Sequence, residues 1–201
     1  MQSNMHRSVR LLLLPLLAIA FSASLLFAQD EEVSIPQELM NMSVSQLFQE
    51  GNSLLDEGNY TEARPYFLAV VEKDSTQAGA YARLGEVAYQ LFDLNAAQKY
   101  LRQAIEADPK NEEYRVRFNA ISELIKQFKE GVEEMDRRNY AEAEKIFNAV
   151  LEQFPGFAPA HYRLGFVYSA QDKTGEAVES FQRAIEEDPD NENYKKALVY
   201  L

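Results

Sequence analysis

The chain contains no cysteine in its 201 residues. Disulfides, thiolate nucleophiles and zinc–thiolate sites are therefore excluded, and the lack of Cys is compatible with either redox compartment. Positive charge is also scarce. Twenty Lys and Arg face 32 Asp and Glu, a formal charge of -12. Beyond Ala28 the chain no longer counts Arg7 and Arg10, so 18 basic side chains face 32 acidic ones, or -14. That balance repels phosphate backbones and anionic lipid surfaces, and no Lys/Arg cluster with interleaved aromatics offsets it. Nucleic acid and membrane surfaces are thus not expected as partners of the body of the chain. The residues of catalysis are thin as well. Beyond Ala28 the only histidine is His161. No Ser stands in a nucleophile motif and no Gly-rich phosphate loop occurs. The carboxylates of "DEE" and "EEDPDNEN" lack the spacing and the Gly of a calcium loop. These acids read as solvated faces and loops, and no enzyme activity, cofactor or metal is expected. What is present is core-forming material: 46% of residues are hydrophobic and 26% charged, the mix of a soluble folded domain.

The N-terminus speaks to compartment. Arg7 and Arg10 precede an apolar run from Val9 to Phe27, which ends abruptly at the acidic stretch from Asp30. This is the pattern of an export signal, with cleavage expected after Ala28. The alternative is an uncleaved anchor over residues 9–27, close to the roughly 20 residues of a spanning helix; Pro15, Ser22 and Ser24 weigh against it. In both cases the acidic body is exported, to the periplasm or beyond. Residues 29–43 read as an acidic, polar linker.

The rest of the chain repeats itself. "NYTEARPYFLAVVEKD" from Asn59 returns as "NYAEAEKIFNAVLEQFP" from Asn139. Within each copy a shorter period operates. Gly51, Gly58, Ala63 and Phe67 return at equal spacing as Gly85, Phe92, Ala97 and Leu101, and Gly131, Ala143 and Phe147 as Gly165, Ala177 and Phe181. Small residues where two helices approach, large apolar residues around them and a Pro soon after the second helix describe stacked antiparallel helix pairs. Asn59 with Glu62, and Asn139 with Glu142, have the spacing of reciprocal helix caps. Pro65 falls early in its helix and is expected to loosen the first turn at most.

The units at 44–77, 78–111, 124–157 and 158–191 resemble tetratricopeptide repeats, most specifically in "YARLGEVAYQLFDLNAAQKYLRQAIEADPKN" and "HYRLGFVYSAQDKTGEAVESFQRAIEEDPDN". The resemblance implies an all-α, right-handed superhelical solenoid in which no pair buries its apolar face alone. It further implies a protein- or peptide-binding groove lined by the first helices of the repeats. The groove residues carried over are Phe48, Asn52 and Leu55, then Ala82, Glu86 and Tyr89, then Phe128 and Val132, then Tyr162, Phe166 and Ser169. Asn52 matches one residue of the carboxylate clamp found in co-chaperone members. Phe48 and Arg83 stand where the clamp has Lys and a second Asn, so the clamp is incomplete. Aromatic lining favours an apolar or amphipathic partner segment, with basic flanks drawn by the surrounding acids. His161 takes a position that usually carries a large aromatic residue between the paired helices, and is expected to be a packed or partly exposed core histidine.

The two units of the first copy end at Asn111 and those of the second begin at Leu124, which leaves an insert at 112–123. The duplicated unit is therefore a repeat pair plus a helix: 44–123 and 124–201. "NEEYRVRFNAI" from Asn111 matches "NENYKKALVYL" from Asn191, giving each copy a capping helix with stripes Tyr114, Phe118, Ile121 and Tyr194, Leu198, Leu201. In the first copy the stripe continues through Ile125, Phe128, Val132 and Met135, spaced alternately four and three apart. One long helix is expected over 112–136. Its seam either joins the two pairs within the chain or forms a dimer face. The sequence thus points to a non-catalytic exported scaffold binding a protein segment. The alternative is a structural subunit self-associating through this seam or the C-terminal helix.

Overall fold

The computed structural model describes residues 34–199. The proposed export segment at 1–28 lies outside the described residues, as does Leu201 of the C-terminal stripe. Among the described residues there are nine α-helices and no strand: α1 (Val44–Asp56), α2 (Tyr60–Lys73), α3 (Ala78–Gln90), α4 (Leu94–Ala107), α5 (Glu112–Asp136), α6 (Tyr140–Gln153), α7 (Ala158–Ala170), α8 (Thr174–Glu187) and α9 (Glu192–Val199). Consecutive helices pack on one another along the chain, forming a superhelical stack of four helix pairs. The long helix falls on 112–136 as the hydrophobic stripe indicates.

Each pair closes through one glycine. A Cβ on Gly51, Gly85, Gly131 or Gly165 would lie 3.0, 2.9, 2.7 or 2.5 Å from the ring or side chain of Phe67, Leu101, Phe147 or Phe181 respectively. The second helix thus inserts its large residue into the space that the first leaves empty. The turns inside the four repeats also share a conformation. Gly58, Phe92, Arg138 and Asp172 occupy equivalent places and all have positive φ, at 80°, 59°, 62° and 60°. Only the first is the residue that adopts this conformation without steric cost.

Helix starts differ from the sequence reading. Asn59 and Asn139 make no side-chain cap. The Asn139 side chain instead donates back to Glu134 at 2.7 Å, and Asn59 donates to Glu57 at 3.1 Å. The amides of Glu142 and Ala143 bond the Asn139 carbonyl, so the first turn of α6 is satisfied by backbone. The reciprocal cap sits at Ser43 and Gln46, where the Gln46 amide donates to Ser43 Oγ at 3.3 Å and the Ser43 amide to Gln46 Oε1 at 3.0 Å. Asp93 and Asn111 cap α4 and α5 through the amides of Ala96 and Glu113, each at 3.0 Å. α2 runs unbroken across Pro65, and the carbonyl that loses its donor belongs to exposed Thr61, so it is not left buried.

The segment read as a linker is in part structural. Leu39 is 5% exposed, and Ile35, Met40 and Met42 pack with it against Leu47, Val70 and Ala80. Lys73 Nζ donates to the Met40 carbonyl at 2.7 Å. Residues 35–42 thus cover the open end of the first pair. At the other end α9 buries Tyr194 and Ala197 against the fourth repeat.

The largest core cluster crosses the join between the copies. It runs from Leu94, Ala97 and Leu101 through Ile121, Leu124, Phe128 and Val132 to Phe147, Phe157 and Leu164. The heptad stripe is therefore an internal joint. Its central residues are covered within the chain and cannot also face a second copy, which corrects the reading of 112–136 as a dimer seam. Leu124, absent from the heptad reading, is buried, and the buried stripe runs 121, 124, 128, 131 and 132. That is the wider stripe of a helix packed in a globular core rather than of a coiled coil.

Candidate functional site

The first helices α1, α3, α5 and α7 present equivalent faces, and the sequence-derived groove residues fall on them with different fates. Phe48, half-buried, packs edge-on against Phe67 with ring centroids 5.7 Å apart. Beside it Asn52 is partly exposed while its Oδ1 is buried without a hydrogen-bond partner. On α3, Glu86 is held by two arginines, Arg83 at 2.8 Å and Arg117 of α5 at 3.5 Å, and Arg117 also reaches Glu113 at 2.7 Å. This charged lattice spans α3 and α5 and closes the first copy's face with polar groups.

Four of the residues are core and are removed from the groove, three of them large and the fourth Ala82. Leu55 is 8% exposed, Phe128 1% and Val132 7%. Phe128 is enclosed by Phe147 at 5.6 Å and, edge-on, by Phe157 at 5.2 Å. α5 is thus turned inward relative to α1: Leu47 at the equivalent first-copy position is fully buried, whereas Gln127 is only partly covered. Ala82 is likewise buried, and Ser169 is exposed. Tyr89 belongs to the joint rather than to an open wall. Its ring packs edge-on against Phe154 at 6.2 Å, Phe92 against Phe157 at 5.9 Å, and burial pushes the Tyr89 phenol up from its ordinary value. The middle of the expected groove is filled by the protein's own α6–α7 turn.

What stays open lies on α7. Tyr162 and Phe166 meet edge-on at 4.9 Å, and both pack against Phe181 of α8, at 5.8 and 5.1 Å. Tyr194 of α9 leans on Tyr162 at 4.7 Å. Phe166 is 38% exposed at the edge of this four-ring cluster, more than any other aromatic ring of the described core. Next to Tyr162 in the chain, Arg163 is 7% exposed and forms no ion pair or hydrogen bond among the described residues. Burial lowers its pKa, and the neighbouring Tyr162, Asp136 and Tyr194 oppose that shift. Burial also raises the phenols of Tyr162 and Tyr194. The cluster is an apolar surface with a buried cation close by. No hydrolytic or proton-transfer constellation accompanies it, and no group of three or more His, Asp or Glu that could hold a metal ion occurs among the described residues.

Arg163, Phe157 and Tyr194 were not singled out as site residues by sequence reasoning. The signal that finds them is the comparison of copies. At equivalent positions of the second copy, Phe166 replaces Glu86, Ala197 replaces Arg117 and Phe157 replaces Gln77. Arg163 keeps the place of Arg83 but loses both members of its ion network.

A tetratricopeptide-repeat family profile matches residues 54–116 and 134–199. Among solved structures, the P58(IPK) tetratricopeptide domain is similar with a TM-score of 0.68 at 18% identity, over 78% of this chain and 45% of that one. The chain thus spans less than half the length of that relative. MamA from Desulfovibrio magneticus RS-1 aligns over 83% of this chain and 85% of its own at 18% identity, with a TM-score of 0.38. YrrB, described as a tetratricopeptide protein with an unusual peptide-binding site, aligns over 79% and 93% at 22% identity, with a TM-score of 0.38. No curated protein matches the sequence.

Proposed function

Since the chain belongs to the tetratricopeptide-repeat family, whose fold is that of a protein–protein interaction scaffold, we propose that it is an exported, non-catalytic scaffold that docks a protein segment on the α7 ring cluster. The observation that carries this reading is Phe166, a ring left 38% exposed on a first-helix face where its counterpart Glu86 is locked in ion pairs. An exposed ring set among others gives an apolar side chain a rigid surface, and aromatic anchors of this kind contribute about 1 kcal/mol or more each to binding. The body's charge of -14, from 18 basic and 32 acidic residues beyond position 28, favours basic flanks on the partner. Phe48 and Asn52 offer a second, smaller contact on the first copy.

A photoreactive amino acid placed at position 166, and in a separate strain at Val116 of α5, tests the reading in the cells that make the protein. Val116 is 65% exposed and serves as the control for an accessible apolar position outside the cluster. A discrete crosslinked product at 166 that is absent at 116, and lost on Tyr162→Ala, is the expected result. Equal or absent crosslinking at both positions removes the ring cluster as the docking face. Export is tested by the mass of the recovered chain, which should begin at Gln29; intact Met1 in a membrane fraction would replace cleavage with anchoring. Self-association through α9 is the second reading, favoured by Val199 at 80% exposure. Sedimentation of the body at increasing concentration separates it from the first.

A further inference from the structure

The duplication carries one change that the groove does not absorb. Between α6, α7 and α8 lies a cleft of about 560 Å³, of a size that receives a side chain or a small ligand. It opens between second helices, so it is separate from the first-helix face that holds Phe166. Its floor is Leu151, Leu164 and Tyr168, and its rim carries Glu176, Glu179 and Glu186. Ser180 and His161 stand in its wall.

The same place in the first copy is furnished differently. There the chain has Tyr81 for His161 and Tyr100 for Ser180, and both tyrosines pack on the first pair's core. The rim also gains acid: Ala96 and Lys99 stand where the second copy has Glu176 and Glu179, while Glu106 and Glu186 match. Two rings have been replaced by smaller groups, and two carboxylates have been added at the edge.

The two small groups are hydrogen-bond acceptors. Ser180 is 8% exposed, lines the cleft and makes no hydrogen bond among the described residues. Its Oγ is not fully enclosed, and a ligand in the cleft can reach it. His161 Nε2 lies 2.9 Å from the Pro155 carbonyl, which only accepts, so Nε2 is the donor and Nδ1 is the ring nitrogen left without a partner. On the rim, Glu186 is paired with Arg183 at 2.8 Å, while Glu176 and Glu179 have no ion-pair partner among the described residues.

The Ser180 hydroxyl in the wall, two unpaired carboxylates at the mouth and an apolar floor suit a donor-rich cation on a hydrocarbon stem, while Arg183, which also lines the cleft, is held by Glu186. We propose that this cleft binds an arginine side chain of a partner protein segment, its stem on Leu151, Leu164 and Tyr168 and its guanidinium toward Ser180, Glu176 and Glu179.

The test is an NMR titration of the isotopically labelled protein with an acetylated, amidated hexapeptide carrying arginine at alternate positions, compared with the same peptide carrying norleucine. Saturable shifts confined to His161, Leu164 and residues 176–183 are expected with the arginine peptide. Ser180→Tyr, which restores the first copy's ring, should weaken binding about tenfold or more, the loss of roughly 1.4 kcal/mol. Glu176→Ala with Glu179→Lys, both at exposed positions and so without effect on folding, should do the same. Phe166→Ala should leave this binding unchanged, which keeps the outcome independent of the docking face proposed above. Shifts spread over the whole acidic surface, equal affinity for the norleucine peptide, or binding unaffected by the two rim substitutions would each overturn the proposal.

Discussion

The turns at 74–77 and 154–157 hold the same place in the two copies and do opposite things. In the first, Asp74 gathers its own turn: it accepts from the Thr76 amide at 3.0 Å and from the Thr76 hydroxyl and the Gln77 amide group, each at 2.7 Å. Those bonds hold the Asp74 carboxyl below its ordinary pKa. In the second, Phe154 and Phe157 stand for Asp74 and Gln77, and their side chains can bond nothing locally. They reach across to Tyr89, Phe92 and Phe128. A solvated turn has become the fastening between two halves. The same exchange leaves α1 with a half-exposed Phe48 and α5 with an enclosed Phe128. A duplicated sequence thus specifies its pairs twice but its joint only once, at a few positions where the copies diverge.

The sharpest way to break this comparison is to truncate the equivalent rings. Phe128→Ala empties a site that is 1% exposed and bounded by Phe147 and Phe157, and should cost about 3–5 kcal/mol in chemical denaturation. Phe48→Ala removes a ring that is partly solvated already and should cost clearly less. Equal losses would mean that α5 is not turned further into the core than α1.

Next in size is the joint. Phe157→Gln gives the second copy the first copy's residue, and it deletes the ring contacts with Phe92, across the halves, and with Phe128. A loss of about 2–4 kcal/mol is expected. Because neighbouring repeats share stability through their interfaces, one melting transition is expected in the parent and two in the variant. A variant that still melts in one step would place the coupling in α5 alone.

The pairs were legible in the sequence because their signals are local and repeated. Glycine against a large residue at fixed spacing, the prolines that follow the later second helices and the insert at 112–123 sufficed to place the helices, including the unbroken α5. The site was legible only in part. The family resemblance assigned Tyr162 and Phe166 to the groove, and these pack together with Phe166 exposed, but the same register assigned Phe128 and Val132 to it, and these are buried. A register states which face of a helix a residue occupies, not how far the helix is rolled. That roll depends on Phe157, which lies beyond the whole of α6 from Phe128 and carries no local signal of its role. The caps at Asn59 and Asn139 failed for a related reason. A capping pattern offers a side-chain acceptor, and here the side chains are turned back toward the preceding helix, with their Nδ2 groups donating to Glu57 and Glu134.

A smaller effect appears at high pH in both copies, through one raised phenol of the first, Tyr89, and two of the second. Burial raises the phenols of Tyr162 and Tyr194 in the second copy, above their ordinary value of 10.0. In the unfolded chain these groups ionise near that value, while in the folded protein they stay neutral. Their contribution is therefore complete below about pH 10 and is lost as pH rises from there toward the folded-state values. Unfolding followed in urea from pH 9 to 11.5 should show stability falling with pH. Tyr194→Phe should flatten that decline, and an unchanged slope would indicate that the decline arises elsewhere.

The smallest expected difference lies in the four intra-repeat turns, where the backbone is the same and the side chains are not. Arg138 has φ of 62° and an exposed side chain, so its left-handed conformation is held against the steric preference of a residue with a Cβ. Arg138→Gly relieves that strain, and although glycine also gains freedom in the unfolded chain, a net stabilisation of about 0.5–1 kcal/mol is expected, as for glycine after a helix end. Phe92 has nearly the same φ, 59°, but its ring lies 5.9 Å from Phe157 across the joint. Phe92→Gly obtains the same backbone relief and gives up that aromatic contact, so it should destabilise. Opposite signs from one substitution at two equivalent turns would show that Phe92 is retained at the turn for its contact with the second copy, and equal signs would mean that the backbone alone decides.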